Sequence, residues 1–267
     1  MKRIIIYLSL LLLCFQTAAQ TGRIPSKMLE LPETADDVIY HKLYSLSFDK
    51  VHNVPKWVAW ELNRNMIPNN NMVVRDGQYF TPDPELGPLS PVSGDYTNSG
   101  YDRGHMCPAN DCRLSGETLL ESMYMSNICP QTKELNRGSW LKLEDKCHQT
   151  WVLDGEGGIE RLYIICGPIL TDRKDIIIGG ENRYISVPKE FFKAILARKT
   201  NGSYMAAGFI FTQEGYVRML SIDSLESIIN INLFVNLPRR IQDKVESKEP
   251  NKMDWPQLVE TMGKWLR

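Results

Sequence analysis

The dipeptide Asn201-Gly202 narrows what this chain can become more than any other pair of neighbours. It separates two apolar runs, Phe191 to Leu196 and Ala206 to Phe211. Asn-Gly between such runs is the strongest short-range hairpin signal, because both residues tolerate the positive φ that the matching turns require. Taken alone, Phe191 to Leu196 reads equally well as helix or strand. The turn decides it, and two adjacent antiparallel strands are expected.

A second antiparallel pair is expected upstream. Leu43 to Phe48 alternates in a strand-like way, and Trp57 to Leu62 does so after the breaker Pro55. Tyr163 to Gly167 is a short apolar run closed by Gly167-Pro168, which suits a buried strand. Helical spacing, with apolar positions three or four apart, marks Leu119 to Met125 and Leu135 to Lys146. Ser221 to Ile229 reads as a helix with Ser221 as its cap. Pro68 to Gly100 is rich in Asn, Pro, Gly and Asp and predicts a long surface connection. Antiparallel pairs with interspersed helices place the chain in the α+β class.

The 267 residues carry no internal repeat, and residues 40–267 show no convincing boundary, so they are expected to form one domain. Hydrophobic content of 43% with 24% charged residues excludes a disordered chain. A net charge of -1 excludes a broadly basic grip on polyanions and leaves a local basic cleft open. Residues 1–19 have the order of a signal peptide: Met1-Lys2-Arg3, an apolar run from Ile4 to Phe15, then small residues. That run falls short of the roughly 18 apolar residues of a membrane span. A secreted or periplasmic protein without a membrane anchor is expected, with residues 20–39 as a flexible arm. Export makes disulfides plausible among Cys107, Cys112, Cys129, Cys147 and Cys166. Cys107 and Cys112, which bracket a short turn, are the first candidates. No paired C-x-x-C spacing points to zinc.

The chemistry concentrates in Tyr101-Asp102-Arg103-Gly104-His105 and in Leu135-Asn136-Arg137-Gly138-Ser139-Trp140-Leu141-Lys142-Leu143-Glu144. His105 is a base that titrates near ambient pH. Arg103, two residues earlier in an extended segment, projects from the same face and can donate bidentately to a phosphate. Asn136 offers a neutral oxygen, and Glu144 lies two turns further along the same expected helix. Magnesium keeps several waters and needs few protein contacts, so such a sparse donor set suffices. These are the parts of a one-metal phosphodiester hydrolase.

Together with Ser126-Asn127-Ile128-Cys129-Pro130-Gln131, these segments resemble the DNA/RNA non-specific endonucleases, the ββα-metal nucleases of the endonuclease G type. Weaker echoes occur at Trp57-Val58-Ala59, Gly167-Pro168, Val187-Pro188 with Phe191-Phe192-Lys193, and Leu237-Pro238. The likeness spans roughly residues 40 to 240. It implies a central antiparallel sheet flanked by helices. His105 corresponds to the general base, Asn136 to the direct metal ligand and Glu144 to a carboxylate acting through metal-bound water. Asn127 corresponds to an asparagine of the active-site cleft, Arg103 to the arginine beside the base and Arg75 to an upstream phosphate-binding arginine. The resemblance further implies Mg2+, or Mn2+ in its place, with DNA and RNA as partners. It also allows a homodimer, as in several family members. A non-catalytic nucleic-acid-binding or uptake module on the same fold is the alternative. His41, His52 and His148 are expected to be ordinary structural residues, and the tryptophans to be core.

Overall fold

The computed structural model describes residues 28–34, 36–68, 73–74, 77, 79–170, 177–179 and 183–258. The signal-peptide reading and Arg75 both lie outside these residues.

Strands are numbered in chain order: β1 (Ile39–Tyr40), β2 (Tyr44–Asp49), β3 (Val54–Asn63), β4 (Asp102–His105), β5 (Ile128–Gln131), β6 (Ile159–Ile169), β7 (Ile177–Ile178), β8 (Ile185–Ser186), β9 (Glu190–Lys199), β10 (Tyr204–Thr212) and β11 (Val217–Leu220). Seven of them form one antiparallel sheet in the order β1-β2-β3-β6-β9-β10-β11. The Asn201-Gly202 hairpin joins β9 to β10 as expected, with Gly202 at φ +78° and Phe209 opposite Lys193. The upstream pair is also present, with Tyr44 opposite Trp60 and Leu46 opposite Val58. Pro55 does not break its strand. It sits in β3 opposite Phe48, where the register shifts, a place in a sheet that tolerates a missing N–H. Likewise β6 runs through Gly167-Pro168, because Cys166 is its last residue paired with β3.

The central strands are buried on both faces, so they read as near-continuous apolar runs, with Lys193 the charged residue inside the run of β9. Period-two geometry divides them all the same. Phe191, Ile195, Val58, Trp60, Ile164 and Phe209 enter one core, while Phe192, Ala194, Leu196, Trp57, Ala59 and Ile165 enter the other. The first core lies beneath β4, β5 and the segment Leu135–Leu153. The second is covered by α3 (Ile222–Ile229) and α4 (Arg239–Glu246), numbered after α1 (Gly116–Ser122) and α2 (Leu141–Asp145).

Two expectations need correction. The segment Leu135–Leu153 is not a regular α-helix: α2 is flanked by π-helical Leu135–Trp140 and Lys146–Leu153, and Gly138 has non-helical angles (φ -109°, ψ -114°). Counting 3.6 residues per turn from Asn136 to Glu144 therefore does not give their relative phase. The connection from Pro68 to Gly100 is also more than surface, since Asp83, Ser90, Asp95 and Tyr96 are buried in it. Asp83 anchors that stretch, accepting from Ser126 Oγ at 2.5 Å and pairing with His41 Nε2 at 3.0 Å.

On the far core, Asp223, Glu226 and Glu246 bring carboxylate oxygens within 4.8 Å of one another. Burial, reinforced by Glu226 and Asp223, pushes the Glu246 carboxyl up to about 8. A carboxyl raised in the folded state binds more protons there than in the unfolded chain, so stability falls as pH rises from about 4.3 to about 8. Glu246→Gln is expected to remove that slope, stabilising the protein progressively more as pH rises towards 8 and by nearly nothing at pH 4. Denaturant unfolding at the two pH values checks this; equal effects at both would contradict it.

Candidate active site

The site is built where β4 meets β5. The two strands pair antiparallel, with Asp102 opposite Gln131, Arg103 opposite Pro130, Gly104 opposite Cys129 and His105 opposite Ile128. Glycine is required at 104 because a Cβ there would overlap the buried Gln131 side chain. The extended conformation puts Arg103 and His105 on one face, as alternation demands. Both meet the same ring: Phe80 lies 5.3 Å from the His105 ring centroid, and the Arg103 guanidinium carbon lies 5.7 Å over it. Arg103 also donates to the Ser93 carbonyl at 2.6 Å and lies 5.8 Å from the Tyr96 ring. Its Nε is buried without a hydrogen-bond partner among the described residues.

Asp102 ties the helical segment to this strand. Its carboxylate accepts from Asn136 Nδ2 at 3.0 Å and from Arg137 Nε and Nη2 at 2.8 and 2.9 Å. Burial acts to raise the Asp102 pKa, but the bonds from Arg137 and Asn136 prevail and hold the carboxyl below its usual range. A carboxylate only accepts, so it must face the NH2 of the amide, which turns Asn136 Oδ1 the other way. One turn later, Trp140 Nε1 donates to the His105 carbonyl at 3.1 Å. Asn136 and Trp140 thus meet the two ends of β4, one at Asp102 and one at His105. Gln213 secures the start of the segment, accepting from Thr132 N at 2.8 Å and donating to the Pro130 carbonyl at 3.1 Å.

Glu144 does not pair with Lys142 or Lys146, its neighbours in sequence. Its Oε1 lies 3.5 Å from Nζ of Lys193, a residue of the central strand β9 that is 1% exposed. The Glu144 side chain is 13% exposed. Burial pushes its carboxyl up to about 7, offset in part by Lys193. Burial alone would lower the Lys193 pKa, yet Glu144 and the surrounding thiols raise it, so the ammonium stays charged. That ammonium also sits 3.9 Å from the Trp140 ring centroid and 5.8 Å from that of Trp60.

Asn127 lies at the end of β4, next to the backbone that follows His105. Asn127 is fully buried; its Oδ1 accepts from Cys107 N, and its Nδ2 donates to the carbonyls of Cys107 and Ser122, each at 2.9 Å. All of its amide atoms are engaged within the chain, so it fixes the backbone just after His105. Gln131, Asp102 and Lys193 are the residues that the sequence reading named without assigning a task. The C-x4-C spacing correctly marked Cys107 and Cys112 as neighbours, with sulfurs 3.6 Å apart, but all five described cysteines are unbridged. His41 and His148 are structural, held by Asp83 and Asp111, and Trp57, Trp60, Trp140 and Trp151 are core. The carboxylates Asp223, Glu226 and Glu246 belong to the helices on the opposite sheet face, remote from Asn136.

The chain is similar to known nucleases in sequence and in fold. A family model described as DNA/RNA non-specific endonuclease matches residues 25–240. The human mitochondrial nuclease EXOG is 30% identical over 249 residues, which is 83% of this chain and 65% of that protein, so the chain spans just under two thirds of its length. A nuclease of Nostoc is 29% identical, covering 86% of this chain and 84% of its own. A nuclease of Serratia marcescens is 26% identical, covering 79% of each. A chain from a solved EndoG/EndoGI complex, 25% identical, aligns with a TM-score of 0.70 over 85% of this chain and 99% of its own.

If Asp102 aims the Asn136 amide, Asp102→Ala is expected to lower nucleic-acid cleavage by about 10- to 100-fold while the circular dichroism spectrum is unchanged. Cleavage at the unsubstituted rate would show that the amide needs no such support.

Proposed function

The chain belongs to the DNA/RNA non-specific endonuclease family, and on that premise we propose that it is an exported, metal-dependent endonuclease hydrolysing DNA and RNA with little sequence preference. Its fold is the ββα-metal nuclease fold that the motifs imply. No helix among the described residues is long and apolar enough to cross a membrane. The leader-like residues 1–19 support export.

The observation that carries the reading is the pair of hydrogen bonds laying the Asn136 segment along β4: Asn136 to Asp102 and Trp140 to the His105 carbonyl. They join a base, a phosphate-binding cation and oxygen donors in one rigid unit. His105 accepts the proton of the attacking water as that water's oxygen bonds to phosphorus and the bond to the leaving oxygen breaks. Arg103 compensates negative charge on the phosphate, its guanidinium held by Ser93, Phe80 and Tyr96. Asn136 Oδ1 and the Glu144 carboxylate fit a hard divalent cation, since both are oxygen donors and Asp102 fixes which end of the amide is offered. A bound Mg2+, or Mn2+ in its place, would supply charge compensation at the phosphate. Grip through phosphates rather than bases accounts for activity on both nucleic acids and predicts affinity that falls with salt. Arg75, upstream of Phe80, is proposed to add to that grip.

His105→Ala is expected to reduce chelator-sensitive cleavage of plasmid and RNA at least about 100-fold with the fold intact. Near-normal turnover in that variant would remove His105 from the mechanism. Binding of nucleic acid by the unsubstituted protein without any chelator-sensitive degradation would favour a capture module.

A further inference from the structure

Lys193 poses a problem that packing does not solve. Its neighbours on the same face of β9, Phe191 and Ile195, are wholly apolar and buried, and its cross-strand partners are Cys166 and Phe209. Burying an ammonium costs several kcal/mol before pairing, and replacing a buried ion pair with apolar residues is often neutral or stabilising. An apolar side chain at 193 would serve the core at least as well.

We infer that Lys193 is a positioning residue for the reaction: enclosed against the Trp140 indole, its ammonium fixes the Glu144 carboxylate at the cation site. The inference rests on the nuclease reading above. Three contacts define the arrangement. Lys193 Nζ lies 3.5 Å from Glu144 Oε1 and 3.9 Å from the centre of the Trp140 ring. Trp60 encloses it further at 5.8 Å. With one side against aromatic faces, the ammonium directs its remaining attraction to a single carboxylate oxygen. The Trp140 indole also donates to the His105 carbonyl, so one ring stands between the lysine–glutamate pair and the strand carrying the base. Lys193 is part of a rigid central strand, whereas Glu144 is on a short helix flanked by π-turns. The sheet thereby gives the carboxylate a second anchor beyond its own helix. Lys193 needs no contact with nucleic acid to do this.

The test is a double-mutant cycle with Lys193→Met and Glu144→Gln. Lys193→Met is expected to lower kcat by about 10- to 100-fold while KM for plasmid changes by less than about twofold. Calorimetric titration with Mn2+ alone is expected to show binding weakened by a comparable factor, a change that loss of core stability would not produce well below Tm. Because Lys193 acts through Glu144, adding Lys193→Met to Glu144→Gln should change kcat by less than about twofold. Unchanged kcat and Mn2+ affinity in Lys193→Met would overturn the inference, as would losses that multiply in the double variant. Should Lys193→Met alone fail to fold, the comparison of Glu144→Gln with the double variant decides, since there both charges are gone. Absence of cleavage by the unsubstituted protein would sink the nuclease reading instead, and the Mn2+ titration would still test Lys193.

Discussion

One carboxylate holds two pieces of the proposed catalytic apparatus together. Asp102 begins β4, three residues before His105, and accepts three hydrogen bonds from Asn136 and Arg137. Charged acceptors make stronger hydrogen bonds than neutral ones, and the bidentate arginine adds direction. Without that clamp, the segment carrying Asn136 would lose three of the hydrogen bonds that lay it on the strand, beside the Trp140 bond to the His105 carbonyl. The position of a donor such as Asn136 Oδ1 matters on a scale of tenths of an ångström, which explains why a two-strand ribbon with little core of its own is fastened so closely.

Buried polar groups repeat this logic elsewhere in the structure. Asp111 accepts from Trp60 Nε1 at 3.0 Å and pairs with His148 Nδ1 at 2.7 Å, joining β3, the turn after β4 and the π-helical end of the helical segment. Asp83 gathers His41 and Ser126 in the same way. Asn127 spends its whole amide on the backbone around Cys107 and Ser122. Each would be costly if left unpaired, so each specifies one arrangement of loops that apolar packing alone would leave loose. The site is therefore held on a seven-stranded sheet by polar pins, of which Trp60 and Lys193 rise from the sheet itself.

Sequence made a good part of this legible, for reasons that can be named. Asn201-Gly202 marked a hairpin because its turn chemistry is local, and Arg103 and His105 could be placed on one face because alternation in an extended segment is local too. The pairing of Glu144 with Lys193 was not legible: the partners are 49 residues apart, and the apolar run around Lys193 marks it as buried without naming its partner. The helical segment misled because apolar spacing survives a π-turn and the break at Gly138, while phase does not. The hydrogen bonds of Asn127 were not legible either, since a motif gives the residue type and not the partners of its amide.

The most direct test of the account is anomalous scattering from crystals soaked in Mn2+. A single strong peak within about 2.2 Å of Asn136 Oδ1, in the cleft shared with His105 and on the Glu144 side, is the expected result. A peak between Asp223, Glu226 and Glu246 with none at Asn136 would contradict it, because the cation would then sit across the sheet from the proposed base.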